Sequence, residues 1–482
     1  MRIPGVAALA VCASIAGALS LAASQQPEAP PPVPFPDAAS RLYGELCASC
    51  HGATLQGAQA PSLIDDVWTH GSTDEDLARS IRDGWPANGM PGFGAALSAE
   101  QVRSLVVYIR EMQGGGHPWL LPPGRPPGPV TRESERHHFR LETLVAGLDT
   151  PWGIDFLPDG RLIFTDRVGL VRTIGNGVLD PAVIGGVPPV WVRQDGGLMD
   201  IAVHPDYANN GWLYLSFVEP GTEDGASTTR VIRARIRGHQ LVDHENIFQA
   251  PPDLYWVDNT HYGSRFIFDS EGYLYFSLGD RGRRDLSQAL SSPYGKLHRV
   301  HDDGRAPADN PFVATPGAVK SIWTYGHRNP QGFAFHPETG EMWSSEHGPR
   351  GGDELNVIVK GHNYGWPVIT DGIDYDGTAI SLITEHEGME LPIVQWTPTI
   401  APAAIVFYTG DRFPNWRHHL FMATLAGEHL RRIETSGRRV THQEVLFRDF
   451  GRVRDVTMGP DGYLYLALNG PGRIARLVPV TP

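Results

Sequence analysis

The strongest constraint in the chain is a strand–turn–strand unit that occurs six times. Ile154-Asp-Phe-Leu-Pro-Asp-Gly-Arg-Leu-Ile-Phe164 places apolar residues on both sides of an Asp-Gly turn, which is β-hairpin chemistry. The unit returns at 201–217, 266–278, 333–345, 405–425 and 456–468, at intervals of about 47 to 72 residues. Six hairpins over about 340 residues fit a six-bladed β-propeller. The competing fold is a sandwich with incidental hairpin similarity. A high content of Gly (55) and Pro (41) suits a turn-rich β chain.

The repeat also makes a geometric prediction, because an antiparallel hairpin begins and finishes at the same end. The first strands start at Pro151-Trp152, Gln194-Asp195, His261/Arg265, Arg328-Asn329, Pro402 and Arg452/Arg454. The second strands finish at Asp166-Arg167, Ser216, Asp280-Arg281, Glu346-His-Gly-Pro349, Leu425-Ala426 and Asn469. Polar and charged residues crowd these positions, whereas the strands between them are apolar, so one rim of the propeller is expected to carry the function. Within it, the hairpin from His261 to Asp280 supplies a general base with a carboxylate behind it. The planar guanidinium groups of Arg265, Arg328, Arg452 and Arg454 suit planar carboxylates. Their alternative role is strand-end ion pairing. Gly348-Pro349 stands where backbone carbonyls can turn inward and bind a hard cation such as Ca²⁺. Asp353-Glu354 and Asn363-Tyr364 supply further oxygen ligands downstream.

Ahead of the repeat the pattern is different. Residues 1–23 read as a secretory signal, 24–36 as a Pro-rich tether and 37–113 as a small all-α module. Residues 114–138 form a second Pro/Gly-rich linker, and 139–482 the propeller. The module contains Cys47-Ala-Ser-Cys50-His51, the spacing at which two thiols add to haem vinyl groups while the adjoining His binds iron. Without His51 the pair could equally be a redox disulfide or half of a zinc site. Met90, in the loop Asn88-Gly-Met-Pro-Gly-Phe93, is the expected second axial ligand. His–Met ligation raises the iron potential. Thr73 and Ser98-Ala-Glu-Gln101 are helix starts, and Val102, Leu105, Val106 and Ile109 form an apolar stripe after the second. Over its whole length the module resembles a class I cytochrome c.

Net charge is −14, which makes nucleic acid an unsuitable partner. No later stretch is long and apolar enough to span a bilayer. The chain is therefore expected in the periplasm, exported and without a stable membrane span.

The region 140–480 resembles the soluble PQQ-dependent glucose and aldose sugar dehydrogenases. The resemblance is carried by Thr150-Pro-Trp-Gly153, Gly196-Gly-Leu-Met-Asp200, His261-x-Gly-x-Arg265 and Ser277-Leu-Gly-Asp-Arg-Gly282. Tyr325-Gly-His-Arg-Asn-Pro-Gln-Gly332, Glu346-His-Gly-Pro349, Asp353 to Pro367 and Arg452-Val-Arg-Asp455 extend it. It implies that His261 takes the proton of the anomeric hydroxyl while hydride moves to the quinone, with Asp280 orienting His261. It implies that Arg328, Asn329, Arg452 and Arg454 contact PQQ, and that Gly348 and Pro349 hold the Ca²⁺ beside it. Glu354 and Tyr364 match part of a structural Ca²⁺ site. One departure stands out: Ala426 falls where the glucose enzyme has a quinone-contacting Lys. The segment facing cofactor or sugar is ambiguous between Gln194 and Asp195.

The expected activity is oxidation of an aldose to its lactone, with electrons passing to the fused c-type haem and on to a periplasmic acceptor, a cytochrome or the respiratory chain. Alternatives are another sugar, a polyol or a sorbosone-like aldehyde on the same fold, a Ca²⁺-dependent lactonase, and a non-catalytic binding propeller.

Overall fold

The computed structural model describes Met1 and residues 37–114, 131–258, 260–448 and 450–480. The expected signal segment and tether, Met1 apart, and residues 115–130 of the second linker lie outside the described residues.

The N-terminal module is built on helices α1 (Ala38–Leu46), α2 (Ala48–His51), α3 (Asp74–Asp83) and α4 (Ala99–Gln113). Each long helix starts at a side chain that satisfies its free N–H groups. Asp37 caps α1, and Thr73 and Ser98 form reciprocal capping boxes with Asp76 and Gln101. The apolar stripe of α4 faces inward, where Leu105, Val106 and Ile109 pack with Tyr43, Leu77 and Ile81. No described helix is long and apolar enough to cross a membrane.

Six antiparallel sheets follow, five of four strands and one of five. Their innermost strands are Pro151–Phe156, Leu198–Val203, Phe266–Phe268, Pro330–Phe335, Pro402–Phe407 and Arg452–Met458. Each packs against the next and the last against the first, which closes a six-bladed propeller. The rim predicted from the hairpins is formed: Pro151 pairs with Asp166, Pro330 with Glu346, Pro402 with Thr424 and Arg452 with Asn469.

The closure is not visible in the repeat. The strand His138–Leu148 lies N-terminal to the first blade yet pairs with Gly472–Pro479 of the last, from Phe139↔Pro479 to Leu148↔Gly472. Thr131–Glu133 adds an outer strand to the same sheet, so strand pairing begins before the expected boundary at 139. Joining the two ends of the chain in one sheet leaves the ring without a seam.

The axis is blocked part of the way along by Arg265. Its Nη1 lies 3.1 Å from Asp200 and 3.3 Å from Asp455, its Nε donates to the Gln331 carbonyl at 2.9 Å, and Trp152 lies under the guanidinium at 4.4 Å. Beyond this plug, away from the polar rim, the axis holds a cavity of about 390 Å³ lined by Ile201, Phe266, Phe333, Ile405 and Val456. Replacing Arg265 with Leu would leave two buried carboxylates unpaired. We expect Arg265→Leu to destabilise the propeller by about 3–5 kcal/mol in urea unfolding; a loss under 1 kcal/mol would show that the plug does not hold the blades together.

Candidate active site

The hairpin ends meet as the topology requires. His261 Nδ1 lies 2.6 Å from Asp280 Oδ1, with Asp280 buried and the His261 side chain 17% exposed toward the rim. Asp280 Oδ1 also accepts the Gly282 N–H at 2.9 Å, and its Oδ2 accepts the Trp366 indole N–H at 2.8 Å. Burial alone would raise this carboxyl. The facing His261, then Arg328, overcome that effect and hold it below the ordinary carboxylate range. An ionised Asp280 fixes the proton on Nδ1 and leaves the Nε2 lone pair free, the state a general base needs. His261 reaches this position through a left-handed backbone, φ 49°, and Ser264 (85°) and Arg281 (55°) share that conformation nearby. Such backbones cluster where the surrounding fold over-determines them.

The four expected arginines separate into two kinds. Arg265 spends its donors on Asp200, Asp455 and the Gln331 carbonyl, so it is part of the plug and has no free donor pair for a ligand. Arg328 points along the rim: its Nη1 donates to the Gly348 carbonyl at 2.7 Å and its Nη2 to Tyr375 Oη at 3.2 Å. Arg452 and Arg454 are only partly compensated: Arg454 Nη1 donates to Gln331 Oε1 at 3.0 Å, and Glu428 and Asp195 act on Arg452. Burial, reinforced by the like charges of Arg452 and Arg265, pushes Arg454 down to about 9. Burial lowers Arg452 too, against the pull of Glu428 and Asp195. Guanidinium groups stay charged at neutral pH, so this pressure is a surplus of positive potential that a bound anion would relieve.

Further unsatisfied polarity marks the same rim. Among the described residues, His347 Nε2, Arg454 Nε, Arg167 Nε and Asn469 Oδ1 are buried atoms without a hydrogen-bond partner. Burial and then the cations Arg454 and Arg328 hold His347 well below the usual imidazole range, so it is neutral. A polyanionic planar ligand with ring carbonyls and carboxylates, as PQQ is, fits this set of donors. Asn329 is brought to the rim, but its Oδ1 is already an acceptor for Gly263 N–H (3.0 Å) and Gln331 Nε2 (3.2 Å). Ala426 is buried at the rim, with Glu428 nearby toward Arg452. The chain's lysines, Lys296, Lys320 and Lys360, all lie outside the segment 421–428.

The Gly348 carbonyl does turn inward, onto Arg328, while the Gly348 N–H is held by Asp353 at 2.8 Å. A Cβ at Gly348 would collide with the backbone of Gly351 and Gly352, so only glycine permits the turn. Glu354 is half-buried, and desolvation, then Glu346 beside it, raises its carboxyl well above the usual range. Tyr364 has no free hydroxyl for a metal: it donates to Val357 O at 2.7 Å and accepts the Val359 N–H at 2.8 Å. Among the described residues no group of three or more His, Cys, Asp or Glu could hold a metal ion. Any cation here must be held largely by carbonyl oxygens.

Sequence reasoning assigned no role to Trp366, Tyr375 or His347. His347 and Trp366 lay inside motifs already singled out, whereas Tyr375 lay in none; that Trp366 reaches Asp280 and Tyr375 reaches Arg328 is decided by tertiary folding.

In the helical module Cys47 and Cys50 are free thiols. His51 Nδ1 donates to the Pro61 carbonyl at 2.9 Å, which leaves Nε2 for iron. Met90 is held in a backbone bridge with Trp85, whose ring stacks on His70 at 3.8 Å. Free thiols at the start of α2 and within it, an Nε2 left open and a Met in a braced loop fit a covalently attached haem.

Comparison with known proteins agrees with both halves. Residues 148–476 match the family Glucose / Sorbosone dehydrogenase, and residues 35–109 match Cytochrome C oxidase, cbb3-type, subunit III. The aldose sugar dehydrogenase YliI of Escherichia coli (strain K12) is 39% identical over 348 residues, covering 70% of this chain and 92% of that protein. The solved structure of the soluble aldose sugar dehydrogenase from Escherichia coli, in its apo-form, is 37% identical with a TM-score of 0.68 and covers 71% of this chain and 100% of that one. The PQQ-bound aldose sugar dehydrogenase from Streptomyces coelicolor is 29% identical with a TM-score of 0.59, covering 73% and 100%. A match over most of the chain, at this identity and on the same six-bladed frame, places the protein in the glucose/sorbosone dehydrogenase family, with a cbb3-type cytochrome c domain ahead of its propeller.

Proposed function

We propose that the protein oxidises an aldose sugar at the anomeric carbon to the lactone in the periplasm, using PQQ and Ca²⁺ on the propeller rim and a c-type haem in the helical module. The observation that carries this reading is the juxtaposition of the hydrogen-bonded His261–Asp280 dyad with a rim where Arg452 and Arg454 lie together, half-buried and only partly balanced by Glu428 and Asp195. PQQ, when bound, supplies the carbonyl that accepts hydride. The rest is done by the chain. His261 Nε2 takes the proton of the anomeric hydroxyl as hydride leaves C1, so the sugar loses one hydride and one proton and becomes the lactone. Asp280 stabilises the imidazolium that results, and Trp366 holds Asp280 in place. Arg452 and Arg454 bind ligand carboxylates, and Arg328 and neutral His347 face its polar edge.

Gly348 and Pro349 would hold Ca²⁺ through their carbonyls, with the Gly348 oxygen exchanging its Arg328 hydrogen bond for the cation. A second Ca²⁺ at Glu354 would replace the proton on that buried carboxyl, and Tyr364 could join only through its backbone. Cys47 and Cys50 would bear the haem, and His51 and Met90 would bind its iron, which supplies a one-electron acceptor. Each lactone releases two electrons, so a one-electron carrier downstream is reduced twice per turnover.

Three outcomes are expected. His261→Ala should lower turnover by about 10² to 10⁴, while PQQ affinity, read by titration of the apo-protein, stays within about threefold. Arg454→Met should behave oppositely: the apo-protein melts no lower than wild type because a buried surplus charge is gone, yet PQQ affinity falls by about tenfold or more. Adding aldoses, with sorbosone and polyols for comparison, to protein loaded with PQQ and Ca²⁺ should reduce the haem. Reduction of an external dye while the haem stays oxidised would sink the relay. No PQQ binding at all would sink the enzyme reading.

A further inference from the structure

Arg350 directly follows the Gly348-Pro349 turn, yet its guanidinium points into the helical module. It is 1% exposed, with Nη2 2.7 Å from Glu111 on α4 and Nη1 2.8 Å from Asp37, the cap of α1. Glu111 is also 1% exposed. A buried ion-pair cluster is a poor source of stability and a good source of register, because misplacing it strands a charge. Next to it, Arg350 exchanges both backbone hydrogen bonds with Ile373, each at 3.0 Å. This ties the turn to the loop 371–376.

That loop has two faces. Toward the helical module, Arg103 of α4 donates to the Asp371 carbonyl at 2.6 Å, and the Asp376 carbonyl accepts the first N–H of α1 at 2.9 Å. Toward the rim, Tyr375 Oη meets Arg328 Nη2 at 3.2 Å, and Asp374 meets Arg284 at 2.6 Å. Arg328 in turn holds the Gly348 carbonyl. The same α4 packs Leu105, Val106 and Ile109 into the core against which Cys47 rests. One helix therefore touches both the haem-bearing core and the two segments that position Arg328.

We propose that Arg350 is a positioning residue that couples the seating of the helical module to the shape of the quinone pocket. The module is then a structural part of that pocket as well as an electron acceptor. This rests on the reading of the rim as the PQQ site. Breaking the Arg350–Glu111 pair loosens the 348–352 turn and the 371–376 loop together, and PQQ binding weakens with them.

The test uses full-length, haem-loaded protein, free of PQQ, and compares wild type with Glu111→Gln and the milder Arg103→Gln. Three quantities are read: amide exchange at residues 348–352 and 370–378, PQQ affinity by titration, and the propeller melting temperature. Glu111→Gln is expected to speed exchange in both segments and raise the PQQ Kd more than tenfold, with the propeller melting within a few degrees of wild type. Arg103→Gln should give the same pattern more weakly, which keeps the test decisive if Glu111→Gln does not fold. The dye-linked rate at saturating PQQ should stay within about twofold while sugar-driven haem reduction slows. Faster exchange with an unchanged PQQ Kd overturns the coupling, and unchanged exchange overturns the role of the ion pairs. Wild type that binds no PQQ overturns the reading of the rim itself, and the coupling with it.

Discussion

At the axis of the propeller one guanidinium is held between two carboxylates from other blades. Arg265 comes from the third blade, Asp200 from the second and Asp455 from the sixth, so a single side chain ties three of six sheets at their point of convergence. The carboxylates also anchor backbone: Asp200 accepts the Phe266 N–H at 2.8 Å and Asp455 the Ile154 N–H at 2.8 Å. Burial pushes both carboxyls up, and Arg265 pulls them back. The plug divides the axis into a cavity of mixed lining, Ile201, Phe333 and Ile405 beside Asp155, on one side and a polar floor on the other. Everything assigned to chemistry lies on the polar side.

The rim above this floor is organised by unequal treatment of charge. Where charge is structural it is neutralised within the chain, as at Arg265 and at Arg432, which meets Glu135, Glu434 and Glu444. Arg452 and Arg454 are left with a positive surplus, and His347 is kept neutral among them with a ring nitrogen unpartnered. A protein that needed only a stable ring would gain by removing such groups. Their retention beside the His261–Asp280 dyad is the physical sign of a site shaped for an anionic partner.

The junction with the helical module repeats the first kind of treatment. Arg350 is ion-paired with Asp37 and Glu111, so the two modules meet over a buried cluster of opposite charges and share the loop that reaches Arg328. A tether alone would leave the helical module at random orientation to the propeller. A buried ion pair defines one seating.

Much of this was legible in the sequence, and the reason is locality. Hairpins declare themselves through alternation and Asp-Gly turns, helix starts through Thr73 and Ser98, and the proposed haem site through Cys47, Cys50 and His51 within five residues. His261 and Asp280 could be paired because one hairpin joins them. What the tertiary structure decided is non-local. The strand His138–Leu148 closes the last blade across more than 300 residues of chain. Trp366 reaches Asp280 and Tyr375 reaches Arg328 from a loop with no periodicity to announce them. Arg265 and Arg454 look alike in sequence, two arginines at strand starts, yet one is spent on carboxylates and the other is left in surplus. Which of these an arginine becomes depends on what faces it from other blades, and no local pattern records that.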